Sequence, residues 1–514
     1  MTAPRHRHRP LISFGLLCIA LLAMPSQTPA AGATAIGAPT LAELAGRIDA
    51  HIAQPRFAAA DWGIAVVSLD SGRTLYAHHA DQLLQPASTA KLFTAATSLA
   101  TLGPDYRFPT RVMANGVLRN GRLEGQLILY GMGDPTLGTT MSAAWADQLA
   151  GQLAARGIRF VHGDLVADDS YFASPSFGSG WEAGDLQSWF AVPSSALSVQ
   201  ENVAELTVSP ARAVGDSAQV AFTPADAAWP VEGRLVTGAA RSRDDINLYR
   251  APGENSLHIF GSIAARRTPQ HFRLALPDPA LLAGKRLRQA LLDHGIRVTG
   301  KLVVMHWPQD DSTLLAHATT LGEVLSPPLL DILQQGLKRS QNLYLQNLLL
   351  SVGAQQRATD PDPPAGFANA ESYGIRAMHR LLEKIGVTTS DSQITEGTGL
   401  SRRDLVTPNA MVRLLAYLAV QPYANALQDA LPDAGVDGTL TARMRGTAAA
   451  GNVRAKTGNM MYVHCLAGYV TTAAGEHVAF AIMLNNYLPS AQSPRASSDV
   501  DAIAVMLAGF IGRS

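Results

Sequence analysis

Residues 453–484 decide the fold, and they read VRAKTGNMMYVHCLAGYVTTAAGEHVAFAIML. Apolar runs separated by turn residues predict three strands here, Val453–Thr457, His464–Thr471 and His477–Leu484. A helix is expected after them, from about Ser498 to Ile511. The end of the chain is therefore predicted to form three strands joined by turns and followed by a helix.

The start of the chain mirrors this pattern. The sequence Thr40-Leu41-Ala42-Glu43 is a capping box, which predicts a helix to about Ala53. Gly63–Leu69 then alternates as a strand and turns into a second strand over Thr74–Ala77, and a second helix follows Pro86. Strands and helices at both ends of the chain predict one α+β domain, an antiparallel sheet flanked by helices, that is built from two separate segments.

Composition excludes several classes of protein. The chain has 514 residues, of which 47% are hydrophobic and 16% charged, so disorder and coiled coil are not expected. There are 41 basic and 41 acidic residues, and this balance predicts no nucleic-acid partner. The histidines show no metal-ligand spacing beyond His78-His79, so neither a metal nor a cofactor is expected.

Residues 1–33 have the pattern of a secretory signal peptide. Three arginines precede an apolar run, Leu11–Met24, and small residues follow, so cleavage is expected after Ala30 or Ala33. The run is shorter than the ~20 residues of an ordinary membrane span, and no transmembrane segment is expected in the mature chain. Cleavage would leave Cys465 as the only thiol, which excludes an intramolecular disulfide.

The middle of the chain contains a weak internal repeat. Residues 146–166 and 283–303 each run through a helix into Gly-Ile-Arg and then into a short strand. Two similar units so far apart predict one inserted domain that is itself interrupted by a small β-rich domain. The expected boundaries are 1–33 for the signal peptide, 34–104 and 321–514 for the split catalytic domain, 105–204 and 266–320 for the inserted α/β domain, and 205–265 for the small β-rich domain.

Lysine is rare in this chain, with only six among the 41 basic residues. A lysine can be tuned to act as a base and an arginine cannot, so the lysines are the first place to look for chemistry. Lys91 has Ser88 three residues before it, and both are expected on one face of the first turn of the helix after Pro86. The helix N-terminus would favour an oxyanion there and depress the lysine pKa.

Two further motifs occur once each. Lys456-Thr457-Gly458 lies in the first of the three strands, where a glycine would let a bound peptide approach the strand edge. Ser340-Gln341-Asn342 separates two helical stretches and is the only Ser-x-Asn in the chain. His464 and Cys465 resemble a base and a nucleophile, but adjacent strand residues point to opposite faces, so Cys465 is expected to be a buried apolar residue.

The order S-x-x-K, S-x-N, K-T-G resembles the penicillin-recognising serine enzymes, whose active site is assembled from these motifs. Within them the chain resembles the class C low-molecular-mass penicillin-binding proteins, the D-alanyl-D-alanine carboxypeptidases/endopeptidases of the penicillin-binding protein 4 type. Lys91 and Ser340 are 249 residues apart, which suits that group because its members carry inserted domains there. Further matches include Gly131–Leu137, Gly163–Val166 and Gly397–Arg402.

The resemblance implies a role for each motif residue. Ser88 would attack the penultimate D-alanine carbonyl of a peptidoglycan stem peptide, and Lys91 would take its proton. Ser340 and Lys456 would relay protons to the leaving amine, and Asn342 would position Lys91 and the substrate. Three residues would bind substrate at the strand edge, namely Thr457, Gly458 and Asn459. The backbone N–H groups of Ser88 and Asn459 would form the oxyanion hole, and β-lactams would acylate Ser88.

Several positions depart from the family pattern. Asn459 stands where Thr or Ser is frequent, and Glu396 and Thr398 replace the usual Asp and Ser of the D-G-S-G-L-S-R stretch. These changes leave the catalytic motifs intact. Arg402 and Asp168 could contact the side chain of the stem peptide, and structural salt bridges at a domain junction explain them equally well.

Two other functions remain open for the same fold. A β-lactamase would need a feature that speeds deacylation, and a non-catalytic peptidoglycan-binding protein would have no reason to keep both lysines and Ser340. The resemblance and the signal peptide together predict an exported, periplasmic protein that is soluble or loosely associated with the cell wall.

Overall fold

A computed structural model describes residues 40–489 and 495–514, so the predicted signal peptide lies outside the described residues. The first segment contains α1 (Leu41–Ile52), β1 (Asp61–Ser68), β2 (Thr74–His78) and α2 (Lys91–Leu102). The predicted capping box is confirmed, because the Glu43 backbone N–H donates to the Thr40 hydroxyl and the Thr40 N–H donates to the Glu43 carboxylate.

The next segment is rich in strands. Its elements are β3 (Pro109–Arg119), β4 (Arg122–Gly131), α3 (Trp145–Ala155), β5 (Phe160–His162), β6 (Leu165–Asp168), β7 (Val203–Ser209), β8 (Gln219–Thr223), β9 (Val231–Gly238), β10 (Asp245–Tyr249), β11 (Leu257–Ala264), β12 (Gln270–Ala275), α4 (Pro279–Asp293), β13 (Arg297–Val298), β14 (Leu302–Met305), α5 (Ser312–Leu315) and β15 (Thr319–Leu325).

The last segment is mostly helical until its final strands. Its elements are α6 (Leu329–Lys338), α7 (Asn342–Thr359), α8 (Ala370–Lys384), β16 (Ser392–Gln393), β17 (Leu405–Val406), α9 (Pro408–Ala419), α10 (Ala424–Asp429), β18 (Arg454–Met460), β19 (Val463–Thr471), β20 (His477–Asn485) and α11 (Ala496–Ala508). Within residues 40–489 and 495–514, no helix has both the length and the apolar character that crossing a bilayer requires.

Both ends of the chain meet in one five-stranded antiparallel sheet, in the order β18-β19-β20-β1-β2. Alternation along the strands gives the sheet two different faces. Large side chains such as Phe480 and Ile482 pack with α1 and α11, whereas alanines such as Ala479 and Ala481 pack with α2, α7 and α9. The predicted α+β class, with an antiparallel sheet between helices, is confirmed.

The two halves of the predicted repeat pair directly with each other. β5 runs parallel to β13 and β6 runs parallel to β14, with Leu165 opposite Leu302 and Val166 opposite Val303. Where the second unit approaches the first, a Cβ on Gly300 would lie 2.2 Å from the Gly163 carbonyl oxygen. Gly300 is thus required by the close contact of the two units, whereas a Cβ on Gly163 would lie 2.1 Å from the Gly125 carbonyl oxygen, next to β4.

Strands β7 to β12 form two three-stranded sheets, in the orders β12-β7-β8 and β10-β11-β9, around a core of their own. This core includes Leu206, Leu235 and Ile259. Strand β7 begins two residues before the predicted segment 205–265, and strand β12 lies wholly after it. The domain boundaries given above stay a prediction.

Candidate active site

Ser88 lies on a tight 3-10 turn, Ala87–Ala90, that leads directly into α2. Ala87 has a φ of 47°, a left-handed conformation that is uncommon for a residue other than glycine. Because of the turn, Ser88 and Lys91 lie on one side, and the Lys91 Nζ donates to the Ser88 Oγ at 2.9 Å. The structure thus places a lysine amine against the hydroxyl, as the spacing predicts.

Lys91 is fully buried and has two further acceptors. Its Nζ donates to the Asn342 Oδ1 at 2.5 Å and to the Thr398 carbonyl oxygen at 2.8 Å. Burial lowers the pKa of the Lys91 amine to about 7, although the carboxyl groups of Glu396 and Asp404 act in the opposite direction. A substantial fraction of Lys91 is therefore neutral near pH 7, and a neutral amine can accept a proton.

Ser340 and Asn342 come from the junction of α6 and α7. Ser340 has a φ of 55°, so the chain reverses locally between the two helices, and its Oγ accepts a hydrogen bond of 2.9 Å from the Lys456 Nζ. Asn342 begins α7, and its Nδ2 donates to the Phe190 carbonyl oxygen at 2.7 Å while its Oδ1 faces Lys91. The second motif thus contacts both Lys91 and Lys456.

Lys456 is also fully buried, and its Nζ donates to the Thr457 carbonyl oxygen as well as to Ser340. Burial holds the pKa of Lys456 well below its usual value, and the nearby positive groups of Lys91 and Arg443 act in the same direction. Each of the two serine hydroxyls in the site therefore has its own buried lysine.

The outer edge of β18 lies at the end of the sheet. Beyond Ala455, whose N–H donates to Pro432, no described strand pairs with this edge. The Thr457 hydroxyl shares a hydrogen bond of 2.7 Å with the Thr439 hydroxyl. An edge of this kind can add an extended peptide as a further strand.

Gly458 lies where β18 packs against the turn that holds Ser88. A Cβ on this residue would lie 2.6 Å from the Pro86 carbonyl oxygen and 3.2 Å from the Ala87 Cβ. The missing side chain therefore lets β18 pack against the backbone just before Ser88. The predicted approach of a bound peptide at this glycine stays a prediction.

Asn459 lies near the turn of the β18–β19 hairpin, and Arg402 reaches the same turn from the loop between β16 and β17. The Asn459 side chain bonds to the His464 ring at 3.0 Å. Arg402 donates to the Glu182 carboxylate at 2.8 Å and makes a longer contact of 3.4 Å with the Met461 carbonyl oxygen. Both side chains thus border the turn between β18 and β19.

Asp168 lies at the end of β6 and is not hydrogen-bonded to any of the three motifs within the described residues. Its Oδ1 accepts from the Ser170 N–H at 2.9 Å, and its Oδ2 is buried without a donor. Burial raises the pKa of Asp168 to about 6. Within residues 40–489 and 495–514, no basic side chain forms a salt bridge with Asp168.

Comparison with known proteins assigns the chain to a family. Residues 44–508 match the D-Ala-D-Ala carboxypeptidase 3 (S13) family. The chain belongs to that family. It is 37% identical over 517 residues to the D-alanyl-D-alanine carboxypeptidase of Actinomadura sp. (strain R39), covering 98% of this chain and 90% of the relative. It is 29% identical to D-alanyl-D-alanine carboxypeptidase DacB of Haemophilus influenzae, over 83% of this chain and 85% of the relative.

Solved structures agree with the family membership. The crystal structure of penicillin binding protein 4 (dacB) from Haemophilus influenzae matches with a TM-score of 0.77 and 26% identity, covering 90% of this chain and 98% of that one. Its complex with a novel beta-lactam matches with a TM-score of 0.73 and 25% identity. The predicted resemblance, the transpeptidase-like fold and the assignment to the penicillin-binding D-Ala-D-Ala carboxypeptidases, which are serine hydrolases, are confirmed.

In this S13 family member, sequence reasoning missed several groups that border the motifs. They are the carbonyl oxygens of Thr398 and Phe190, the hydroxyl of Thr439, and the carboxyl group of Asp404. The two carbonyl groups leave no sequence signal, because every residue carries one. Asp404 had a signal, since it lies two residues after the Gly397–Arg402 match. Glu396 was noted as a departure from the family pattern, but its position near Lys91 was not predicted.

Cys465 is buried, as predicted, among Leu84, Ala87, Val463 and Met483. Burial raises the pKa of its thiol far above the usual value, so it stays protonated and unreactive. The neighbouring His464 points instead toward Asn459. A cysteine–histidine nucleophile pair is therefore excluded.

Proposed function

We propose that this protein removes the terminal D-alanine from peptidoglycan stem peptides, and cleaves the related cross-links, through an acyl-enzyme on Ser88. The observation that carries the proposal is the buried Lys91 amine, 2.9 Å from the Ser88 hydroxyl, with a pKa of about 7. A serine hydroxyl is a weak nucleophile unless a base within hydrogen-bond reach takes its proton. Lys91 is that base.

Acylation begins when the Ser88 Oγ attacks the carbonyl carbon of the penultimate D-alanine and its proton moves to Lys91. The resulting oxyanion would be held by the backbone N–H groups of Ser88 and Asn459. One such donor contributes roughly 3–4 kcal/mol where donors of this type have been removed from other enzymes. The C–N bond then breaks, the acyl group stays on Ser88, and D-alanine leaves.

The leaving amine must gain a proton, and the pair Ser340–Lys456 can supply it. The Lys456 Nζ donates to the Ser340 Oγ at 2.9 Å, so the hydroxyl can pass its own proton on and recover one from the lysine. Water then attacks the acyl-enzyme, and the same groups return the proton to Ser88. No cofactor is required by this sequence of steps.

Substrate recognition would use the free edge of β18. A stem peptide added as a strand would form main-chain hydrogen bonds there, and its terminal carboxylate would accept a hydrogen bond from the Thr457 hydroxyl. Arg402, which borders the turn between β18 and β19, is a candidate contact for the side chain of the stem peptide. Asp168 is a second candidate.

The location follows from the substrate. Peptidoglycan lies outside the cytoplasmic membrane, and the signal-like residues 1–33 would direct export to the periplasm. A β-lactam would enter the same site and acylate Ser88 in the same way as the peptide.

A fluorescent penicillin tests the nucleophile. The wild type is expected to give a labelled band that survives denaturing electrophoresis, and Ser88→Ala is expected to give none. The matched control is Ser98→Ala on α2, the helix that follows the Ser88 turn, because the Ser98 hydroxyl is buried without a partner among the described residues. Undiminished label on Ser88→Ala would refute the proposed nucleophile. A wild type that releases no D-alanine from a pentapeptide, and cleaves no cross-linked dimer, would leave only a binding function.

A further inference from the structure

Two fully buried carboxyl groups lie close enough to Lys91 to act on its charge. Glu396 and Asp404 both lie in the stretch between β16 and α9, and both have no exposed surface. Each attracts the Lys91 ammonium electrostatically. A buried pair of acids is costly unless every oxygen is hydrogen-bonded and the charges are balanced.

Glu396 has the hydrogen bonds of an ionised carboxylate. Its Oε2 accepts from the Thr398 N–H at 2.8 Å, and its Oε1 accepts from the N–H groups of Leu400 and Ser401 at 2.9 and 3.3 Å. Three backbone donors stabilise the charged form. They also fold the loop so that the Thr398 carbonyl oxygen accepts from the Lys91 Nζ at 2.8 Å.

Asp404 has hydrogen bonds on one oxygen only. Its Oδ1 accepts from the Thr395 N–H and hydroxyl, both at 2.8 Å. Its Oδ2 is buried and meets no donor among the described residues. Burial raises the pKa of Asp404 well above its usual value, and the adjacent Glu396 raises it further. The two carboxyl groups lie within hydrogen-bond reach of each other. Two buried carboxylates in contact repel each other strongly when both are ionised, so one of them keeps a proton.

We propose that Asp404 keeps a proton on Oδ2 and donates a hydrogen bond through it to the Glu396 carboxylate. The pair then carries one negative charge and acts as a positioning element for Lys91. Glu396 holds the loop that aims the Thr398 carbonyl oxygen at the amine. Asp404 keeps the second charge out of the site. Neither residue touches substrate.

A single charge suits the proton transfer that the proposed function requires. When Lys91 takes the proton of Ser88 it becomes an ammonium ion, and one buried carboxylate balances it. Two carboxylates would hold Lys91 protonated to higher pH and make it a poor base. Lys456 lies near Lys91 on the opposite side of the charge balance, because a positive charge on Lys91 lowers the pKa of Lys456. Glu371 faces Glu396 from α8, where it is bonded to Ser179 and Gln346.

The first test compares the pH dependence of β-lactam acylation in two variants. Asp404→Asn keeps a permanent donor toward Glu396, so the midpoint of the acidic limb is expected to stay within about 0.3 pH unit of the wild type. The double variant Glu396→Gln/Asp404→Asn removes the remaining charge, which lowers the Lys91 pKa. Its midpoint is expected to fall by about one pH unit, the usual effect of one nearby charge.

A fall of the Asp404→Asn midpoint by as much as that of the double variant would overturn the proposal, because it would mean that Asp404 is ionised in the wild type. Infrared spectroscopy of wild type at pH 8 gives a second test that needs no activity. A protonated carboxyl band is expected there and should be absent from Asp404→Asn. Asp134, Asp168 and Glu371 do not contribute, since their pKa values are about 6.

The infrared test also separates this inference from the proposed function. A protein that shows the band but is not acylated by any β-lactam would refute the function and support the shared proton. A protein that is acylated but lacks the band at pH 8 would refute the shared proton alone.

Discussion

At Lys91, burial and charge act on the pKa in opposite directions. Burial removes water from the ammonium form and lowers the pKa, whereas the carboxyl groups of Glu396 and Asp404 raise it, and the result is about 7. An exposed lysine would be almost fully protonated at neutral pH and could not take the proton of Ser88. The environment of one side chain thus decides whether the nucleophile can be activated.

This pKa leads to a pH dependence of acylation. Only neutral Lys91 accepts a proton, so we expect the second-order rate of β-lactam acylation to fall as the pH drops through about 7 and to level off above pH 8. Stopped-flow absorbance with a chromogenic cephalosporin measures the rate, and circular dichroism at each pH confirms that the fold persists. A rate that does not change between pH 5 and 9 would contradict the role of Lys91.

Thr457 allows a test of carboxylate binding. Thr457→Val removes the hydroxyl and keeps the shape, and a hydrogen bond to a charged group contributes ~2 kcal/mol. We therefore expect kcat/KM to fall roughly 30-fold for a peptide with a free terminal carboxylate, and much less for its methyl ester. Equal losses for the acid and the ester would show that Thr457 does not recognise the carboxylate.

Strand β18 places the third motif, Lys456-Thr457-Gly458, next to the proposed nucleophile Ser88. The position of the strand depends on Gly458. The strand packs on the Pro86–Ala87 backbone, while the Asn485 side chain at the end of β20 accepts from the Gln85 N–H at 2.8 Å. The turn that presents Ser88 is thus held by two strands of the sheet. A small displacement of either strand would separate Ser88 from Lys456.

Gly458→Ala would force such a displacement. The new Cβ would lie 2.6 Å from the Pro86 carbonyl oxygen, closer than real contacts allow, so β18 or the Ser88 turn must move. We expect acylation to slow about 100-fold, as for a misplacement of ~1 Å. The control is Gly46→Ala on the exposed side of α1, where a Cβ meets nothing within 4 Å; it should keep the rate and stabilise the protein by ~0.5–1 kcal/mol. An unchanged rate in Gly458→Ala would disprove the packing explanation.

Sequence predicted the elements of the site better than their contacts. Period-two alternation is local, and so the strands of the sheet and the placement of Lys456 on one of them could be predicted. The reason for Gly458 could not, because the clashing atom is the Pro86 oxygen, far away in the chain. The contact of Thr439 with Thr457 could not be predicted either, because the two residues meet only through the tertiary fold.

Element boundaries moved by a few residues. Ser88 and Lys91 were predicted in the first turn of one helix, but Ser88 lies on a 3-10 turn and α2 begins at Lys91. The left-handed φ of Ala87 produces this difference, and no local pattern of apolar residues signals it. The last helix also ends at Ala508 rather than Ile511, before Gly509.

On the scale of the whole molecule, the pairing of β1 with β20 joins the two ends of the chain in the sheet next to the site. The pairing spans Asp61–Ser68 and Val478–Asn485, and the strands between them in the chain include the entire β-rich middle segment. β20 is the central strand of the five, with Val478, Phe480, Ile482 and Leu484 fully buried. Its loss would divide the sheet.

Truncation tests this dependence. A chain that ends at residue 476 lacks β20 and α11, so we expect no label from fluorescent penicillin and no cooperative unfolding of the catalytic sheet by circular dichroism. The matched control ends at residue 510, keeps α11, and should retain both properties. Full labelling of the shorter chain would contradict the structural role of β20.

The pairing of β1 with β20 also bears on the order of folding. The two strands lie hundreds of residues apart in the chain, so the cores of the intervening segments can form before this sheet does. Ser88 and Lys456 come together only once β20 is in place. A chain whose last strand has not yet emerged is therefore expected to lack a complete site.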